Sequence, residues 1–221
     1  TNLYGKEYDS SPTITREGEA LGSYYGYVAD GYFQSQEEID MADCVYGGNK
    51  ANIKPGYIRY VDVNHDGEIN SKDRVILGNS TPRYEYSFTL GGQWKGIDLS
   101  LFFQGVGKRD LYYSGAGARP LVQNSTIFKS QLDTWSPENP DAEYPLLLVD
   151  AGSTNMNNIV SSFWIKSGAY LRLKNLTVGY TLPKKWTNRV SIDNLRLYFT
   201  ASNLFTINNG YKGYDPETGV T

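Results

Sequence analysis

The sequence predicts an all-β fold of antiparallel strands, with short helices confined to long loops. Two stretches carry that prediction. Tyr84, Tyr86, Phe88 and Leu90 alternate with Glu85, Ser87, Thr89 and Gly91; past Lys95-Gly96, Ile97, Leu99, Leu101 and Phe103 alternate with Asp98, Ser100, Phe102 and Gln104. A period of two gives a strand one apolar face, and the break at Lys95-Gly96 marks a β-hairpin. Further on, Leu176, Val178, Tyr180 and Leu182 share one phase. So do Leu195, Leu197, Phe199 and Ala201, after a connection over 183–194. Leu171 and Leu173 fall in the opposite phase, which requires a bulge near Lys174-Asn175 or a strand end that leaves the apolar layer.

Composition narrows the function classes. The net charge is −3, and Lys and Arg occur singly or in pairs, so no stripe exists to track phosphates and nucleic acid is not an expected partner. Hydrophobic residues make up 39%, below the usual share, while aromatics reach 14% with 19 tyrosines. Tyrosine has an apolar ring and a polar tip and suits boundaries, including the aromatic girdles of membrane barrels. Cys44 is the single cysteine and His65 the single histidine, which leaves no intrachain disulfide, no Cys- or His-based zinc site and no nucleophile–His pair. No run approaches the ~18 apolar residues of a transmembrane helix, a test that does not bear on β-barrels. The start, Thr1-Asn2-Leu3-Tyr4, has neither Met nor a signal peptide, so this end is expected to arise by processing or truncation.

Residues 1–83 are polar and rich in Gly and Tyr and are expected to form a loop region. Within it Ser35-Gln36-Glu37-Glu38 fits a capping box, starting a helix through Ile39 and Met41 that fades near Cys44. Residues 84–221 are expected to hold the strands and their connecting loops. The stretch 105–167 is dense in Gly, Pro and Asn, with one amphipathic helix predicted over Ile127–Trp135. Connections at Lys95-Gly96 and over 183–194 are short, whereas the others are long. Membrane barrels have short turns on one side, long loops on the other and strands of about 10 residues. A β-sandwich also alternates, with shorter loops as a rule. Both architectures fit the pattern, and the few strands present do not close a barrel alone.

The sharpest local motif is Asp62-Val63-Asn64-His65-Asp66-Gly67-Glu68-Ile69-Asn70-Ser71-Lys72-Asp73. It matches an EF-hand-type loop, because a hard cation needs several oxygens and a sharp turn to fold around it. Asp62, Asn64 and Asp66 would bind calcium by side chain, Glu68 by its carbonyl, and Asp73 would close the shell in place of the usual Glu. Ile69 would pack inward, and any ion would be a structural staple. An Asx-rich turn without metal is the alternative. No catalytic residues are expected. Asp98 with Asp110, or Glu138 with Asp141 and Glu143, are conceivable acid/base pairs that nothing places across a cleft. Tyr112, Tyr113, Trp135 and Trp164 are candidates to contact a ligand or a partner, and equally candidates for a loop's own core. Trp94, Trp186 and Tyr198 lie near strand ends and suit an interfacial belt. Cys44 is expected to be a buried small residue or an unpaired thiol.

Several phrases together resemble one known family. They are Pro55-Gly56-Tyr57-Ile58-Arg59-Tyr60-Val61-Asp62-Val63-Asn64-His65-Asp66-Gly67, Asp73-Arg74-Val75-Ile76-Leu77-Gly78-Asn79, Trp94-Lys95-Gly96-Ile97-Asp98-Leu99-Ser100-Leu101-Phe102-Phe103-Gln104-Gly105 and Trp135-Ser136-Pro137-Glu138-Asn139-Pro140, followed by Tyr170-Leu171-Arg172-Leu173-Lys174-Asn175-Leu176-Thr177-Val178-Gly179-Tyr180 and Ser202-Asn203-Leu204-Phe205-Thr206. In this order and spacing, from about Gly18 onward, the chain resembles the C-terminal barrel region of SusC/RagA-type TonB-dependent outer-membrane transporters. The resemblance implies strands of an outer-membrane β-barrel with long extracellular loops, and import of oligosaccharides or peptides. It also implies a SusD-like surface lipoprotein as partner, outer-membrane lipid around the strands, and contact with TonB through an N-terminal part upstream of Thr1, where the plug domain would lie. The family usually continues past Gly213-Tyr214-Asp215-Pro216-Glu217, so the chain is expected to be a fragment at both ends. A soluble, calcium-stapled β-sandwich that binds glycans is the alternative from another class.

Overall fold

A computed structural model describes residues 7–115, 127–148, 156–208 and 215–217. In chain order the strands are β1 (Tyr8–Ser10), β2 (Thr13–Thr15), β3 (Ser23–Gly26), β4 (Ala29–Tyr32), β5 (Ile58–Tyr60), β6 (Val75–Asn79), β7 (Glu85–Trp94), β8 (Ile97–Val106), β9 (Asp110–Tyr112), β10 (Ile165–Ser167), β11 (Tyr170–Thr181) and β12 (Arg196–Asn208). Two short α-helices, α1 (Gln36–Met41) and α2 (Lys184–Thr187), accompany several 3-10 turns. The chain divides into two compact units that interleave in sequence. One comprises Thr1–Ser80, Asp110–Lys166 and Lys212–Thr221; the other comprises Thr81–Arg109 and Ser167–Tyr211. The stretch 110–166 thus groups with the N-terminal region and not with the long strands.

The second unit is a four-stranded antiparallel sheet in the order β12-β11-β8-β7. Its hairpin turns at Lys95 (φ 48°) and Gly96 (φ 84°), two successive left-handed residues, as the tight turns that match strand twist require. The register aligns Leu90 with Leu101, Leu101 with Leu176, and Leu176 with Ala201. It likewise aligns Gly92, Leu99, Val178 and Phe199 in the next row of the same face. Between Leu173 and Asn175 the register shifts against both neighbours. Leu173 opposes Phe103 and Asn175 opposes Phe102, which leaves Lys174 as the extra residue of a bulge. The bulge returns Leu171 and Leu173 to the face of Leu176, resolving the phase break in the sequence. On β12 the same disturbance takes in Asn203, at φ 54°.

One face of this sheet is therefore apolar across all four strands, and apart from the buried Leu173 its large side chains are exposed or half-exposed. Leu90 is 54% exposed, Phe199 65% and Ile207 60%. No second sheet packs on it among the described residues. The sandwich alternative needs these side chains in a dry interior, and their exposure counts against it.

The reverse face is polar. The Thr177 and Thr200 hydroxyls lie 3.2 Å apart, and the Arg172 Nε donates to the Thr206 hydroxyl at 2.6 Å. Arg196 on β12 reaches across β11 to Asp98 on β8 with two bonds, 3.0 Å from Nε and 2.5 Å from an Nη. The crossing depends on Gly179, where a Cβ would stand 2.5 Å from both Arg196 and Asp98. Tyr198 opposes Gly179 on this polar face, with the Arg196 guanidinium 5.2 Å from its ring, so it does not belong to an apolar-side belt as expected. Trp94, opposite Ile97, lies on the apolar side, and Trp186 stands exposed on α2.

In the first unit, β1, β2, β3 and β6 form one sheet, β4 pairs with β5, and β9 with β10. The capping box at Ser35 forms: the Ser35 hydroxyl accepts from the Glu38 amide at 3.2 Å, and the Glu38 carboxylate accepts from the Gln34 amide at 2.6 Å, one residue earlier than the standard box. Ile39 anchors the helix in a cluster with Phe33, Val45, Ile53 and Tyr57. The helix predicted over Ile127–Trp135 is absent; only a 3-10 turn at Lys129–Leu132 occurs. The Asp133 carbonyl accepts from the Tyr144 amide at 3.0 Å and the Trp135 amide donates to the Tyr144 carbonyl at 2.8 Å, so pairing across the loop takes the groups that a helix would use.

Because Gly179 is buried under the ion pair, Gly179→Val is expected to destabilise the sheet by about 1–3 kcal/mol through overpacking. Denaturant unfolding followed by tryptophan fluorescence measures it. The loss should shrink in an Asp98→Ala/Arg196→Ala background, where the space over the glycine is vacated.

Candidate functional site

The candidate cation loop closes on its own backbone. Asp62 accepts from the His65 amide at 2.7 Å and the Gly67 amide at 2.8 Å. Asn64 accepts from the Asp66 amide at 2.8 Å, and Asp66 from the Glu68 amide at 3.1 Å. These are nested Asx turns, which short polar side chains form with amides two or three residues on. Gly67, at φ 85°, supplies the sharp reversal. Ile69 is buried and bridges to Tyr46, while β5 precedes the loop in place of a helix.

Asp73 stands at the last position of the motif. It is fully buried, and both oxygens are occupied by amides: Oδ1 by Val63 at 2.9 Å and Asn64 at 3.3 Å, Oδ2 by Asn70 at 2.8 Å. Burial alone would raise its pKa. The amides of Asn70, Asn64 and Val63 outweigh that and hold it below the ordinary carboxylate value. Asp73 is a clamp that ties the end of the loop to its beginning. Among the described residues no group of three or more acidic, His or Cys side chains converges as a metal-holding cluster. Asp62 is held in the same way, with one oxygen accepting from the His65 amide and the other from the Gly67 amide.

Of the four aromatic contact candidates, three are buried. Trp135 is 6% exposed, with its indole N–H donating to Gln34 Oε1 at 2.9 Å; Gly56 leaves room for the ring, since a Cβ there would lie 2.4 Å from it. Trp164 is 2% exposed and donates to the Asn157 carbonyl at 2.7 Å. Tyr113 is buried beside Trp164 and Tyr144. Side chains so enclosed build the loop's own core, one of the two readings that the sequence leaves open for them. Tyr112 is half-buried against Tyr24.

Other side chains proposed for chemistry are engaged in structure. Asp98 holds Arg196, and Asp110 accepts from the Asn79 amide at 3.1 Å. Cys44 is a half-buried free thiol whose pKa is pushed up by burial first and then by Asp62, Asp43, Asp73 and Asp66, which suppresses the reactive thiolate. Tyr27, Tyr46 and Tyr60 form a cluster that no local motif announces, with ring centroids 5.2–5.8 Å apart. Burial pushes the Tyr60 phenol well above its usual range while its hydroxyl donates to the Met156 carbonyl at 2.6 Å. Its members lie 14 to 33 positions apart, too far for any local pattern to join them.

No family model matches the chain. Whole-sequence and structural comparisons do. The TonB-dependent receptor P3 of Formosa agariphila is 34% identical over 209 residues, covering 92% of this chain and 19% of the relative. The TonB-dependent receptor SusC of Bacteroides thetaiotaomicron is 28% identical over 193 residues, covering 87% of this chain and 17% of the relative. The RagAB peptide importer in its closed-closed state superposes with a TM-score of 0.66 at 23% identity, over 96% of this chain and 22% of that chain. Uncovered apolar strands and these likenesses define the class: the fold is part of an antiparallel β-barrel, not closed by this chain itself. The chain is homologous over most of its length to SusC/RagA-type TonB-dependent receptors, and it spans about a fifth of the length of the curated relatives it matches. TonB-dependent receptors are transporters of the bacterial outer membrane and not enzymes.

Asp73→Ala leaves three part-buried amides without this acceptor and is expected to cost about 1–3 kcal/mol in the thermal or denaturant stability of the first unit. A carboxylate with a lowered pKa stabilises the fold fully above the unfolded value of about 4 and loses that contribution as pH falls through the folded value. The mutational loss should therefore be constant at neutral pH and should shrink on acidification below about pH 4.

Proposed function

We propose that this chain is a segment of an outer-membrane, TonB-dependent importer of oligosaccharides or peptides, working with a SusD-like surface lipoprotein. The observation that carries the proposal is the apolar face continuous over four strands of 10 to 13 residues, its large side chains exposed or half-exposed apart from Leu173. Strands of this length cross a bilayer when tilted, and the polar reverse face suits a hydrated lumen. In this proposal lipid meets the apolar face, TonB engages a plug-bearing part of the importer outside this chain, and cargo passes on the polar side. Peptide cargo draws support from the RagAB peptide importer and oligosaccharide cargo from the resemblance to SusC.

Leu90 and Thr89 are neighbours on opposite faces of β7, and both are exposed. Leu90→Lys in the intact receptor is expected to impair outer-membrane assembly, because a lysine facing the bilayer midplane costs about 2–4 kcal/mol, whereas Thr89→Lys should assemble normally. Membrane fractionation with a heat-modifiability gel reads both. Recovery of the unaltered receptor from the soluble periplasm without detergent would sink the proposal.

A calcium ion bound by Asp62, Asn64, Asp66, the Glu68 carbonyl and Asp73 is proposed as a staple of the loop. The spacing of these oxygens and the left-handed Gly67 support it. Millimolar calcium, and not magnesium, is expected to raise the unfolding midpoint, with the rise abolished in Asp62→Ala/Asp66→Ala. An unchanged midpoint leaves the loop as nested Asx turns alone.

A further inference from the structure

At the end where the long sheet turns round, positive charge gathers beside exposed indoles. Lys95 in the hairpin, and Lys184, Lys185 and Arg189 in the connection between β11 and β12, are all exposed there, against Asp193, while Asp98 close by is paired with Arg196. The whole chain carries a charge of −3, so this end runs against the balance of the molecule. Trp94 is 68% exposed, Trp186 56% and Val190 65%. The Lys95 ammonium lies 4.5 Å from the centre of the Trp94 ring.

The two turns occupy one end of the sheet. The Thr181 amide donates to the Gly96 carbonyl at 2.7 Å, and the Leu182 amide to the Leu195 carbonyl at 2.9 Å. The longer connection has a defined shape. It holds α2 and a 3-10 turn over Asn188–Val190, and is closed by the Ile192 amide on the Thr187 carbonyl at 3.1 Å, with Thr187 buried beneath. A fixed surface thus presents cations and indoles together, continuous with the apolar face.

We propose that this turn end binds the phosphate headgroups of anionic phospholipids in the adjoining leaflet. The proposal rests on the membrane-spanning reading above and adds a lipid preference to it. Indoles favour the interface between hydrocarbon and water, where they bring the neighbouring ammonium and guanidinium groups level with the phosphates. Each basic group near an anionic surface strengthens binding by about fivefold.

The test reconstitutes the intact receptor in vesicles of phosphatidylcholine alone and of phosphatidylcholine with phosphatidylglycerol, and counts retained lipids by native mass spectrometry. The unaltered receptor is expected to retain phosphatidylglycerol preferentially. A Lys184→Gln/Lys185→Gln/Arg189→Gln variant should lose at least about fivefold of that preference while inserting equally into phosphatidylcholine. A second readout needs no variant: high salt should erase the preference of the unaltered receptor. Equal retention of the two lipids, or a preference indifferent to both the substitutions and salt, overturns the proposal. Failure of the unaltered receptor to insert into either vesicle overturns the membrane reading itself, a separate result.

Discussion

The long sheet is organised by a mismatch between its faces: one is apolar from edge to edge and the other is hydrogen-bonded and charged. In water the apolar side is unfavourable wherever it stays uncovered, at about 25 cal/mol per Å2 of exposed apolar surface. The outer edges of β7 and β12 add a second demand, since neither has a strand partner there among the described residues. In a hydrocarbon medium unpaired backbone groups are costly, so strands are stable only within a closed ring. Homology to about a fifth of a TonB-dependent receptor fits both demands, because the remainder of such a barrel supplies strands on either side.

The first unit solves a different problem. With few aliphatic residues available, it builds its interior from aromatic rings whose polar tips reach carbonyls or side chains: Tyr32 to Ala142, Tyr60 to Met156, Trp164 to Asn157, Trp135 to Gln34. Such residues combine large buried area with a satisfied donor. This explains how a chain of modest hydrophobic content keeps an ordered core while much of its remaining apolar surface is spent on the sheet's outer face.

The strands were legible because their alternation is local: Tyr84–Trp94 and Ile97–Phe103 announce their faces residue by residue, and the misphased Leu171 and Leu173 located the bulge. The helix expected at Ile127–Trp135 failed because its pattern competes with a pairing to Tyr144 that no local window contains. The same holds for Asp73. Its spacing fits a ligand, while its amide donors Val63, Asn64 and Asn70 become neighbours only after folding. Trp135 and Trp164 were ambiguous for a related reason: a tryptophan in a long loop suits a ligand and a core equally until its surroundings are known.

The disturbance shared by β11 and β12 has a consequence for how this chain tolerates change. Lys174 is the extra residue of the bulge, so deleting it would place Leu173 directly before Asn175 and keep Leu171 and Leu173 on the face of Leu176 by plain alternation. The bulge absorbs a single loss, whereas a lone gain or loss elsewhere in the strand flips a whole half-strand. Length variation in this part of the sheet should therefore collect at Lys174.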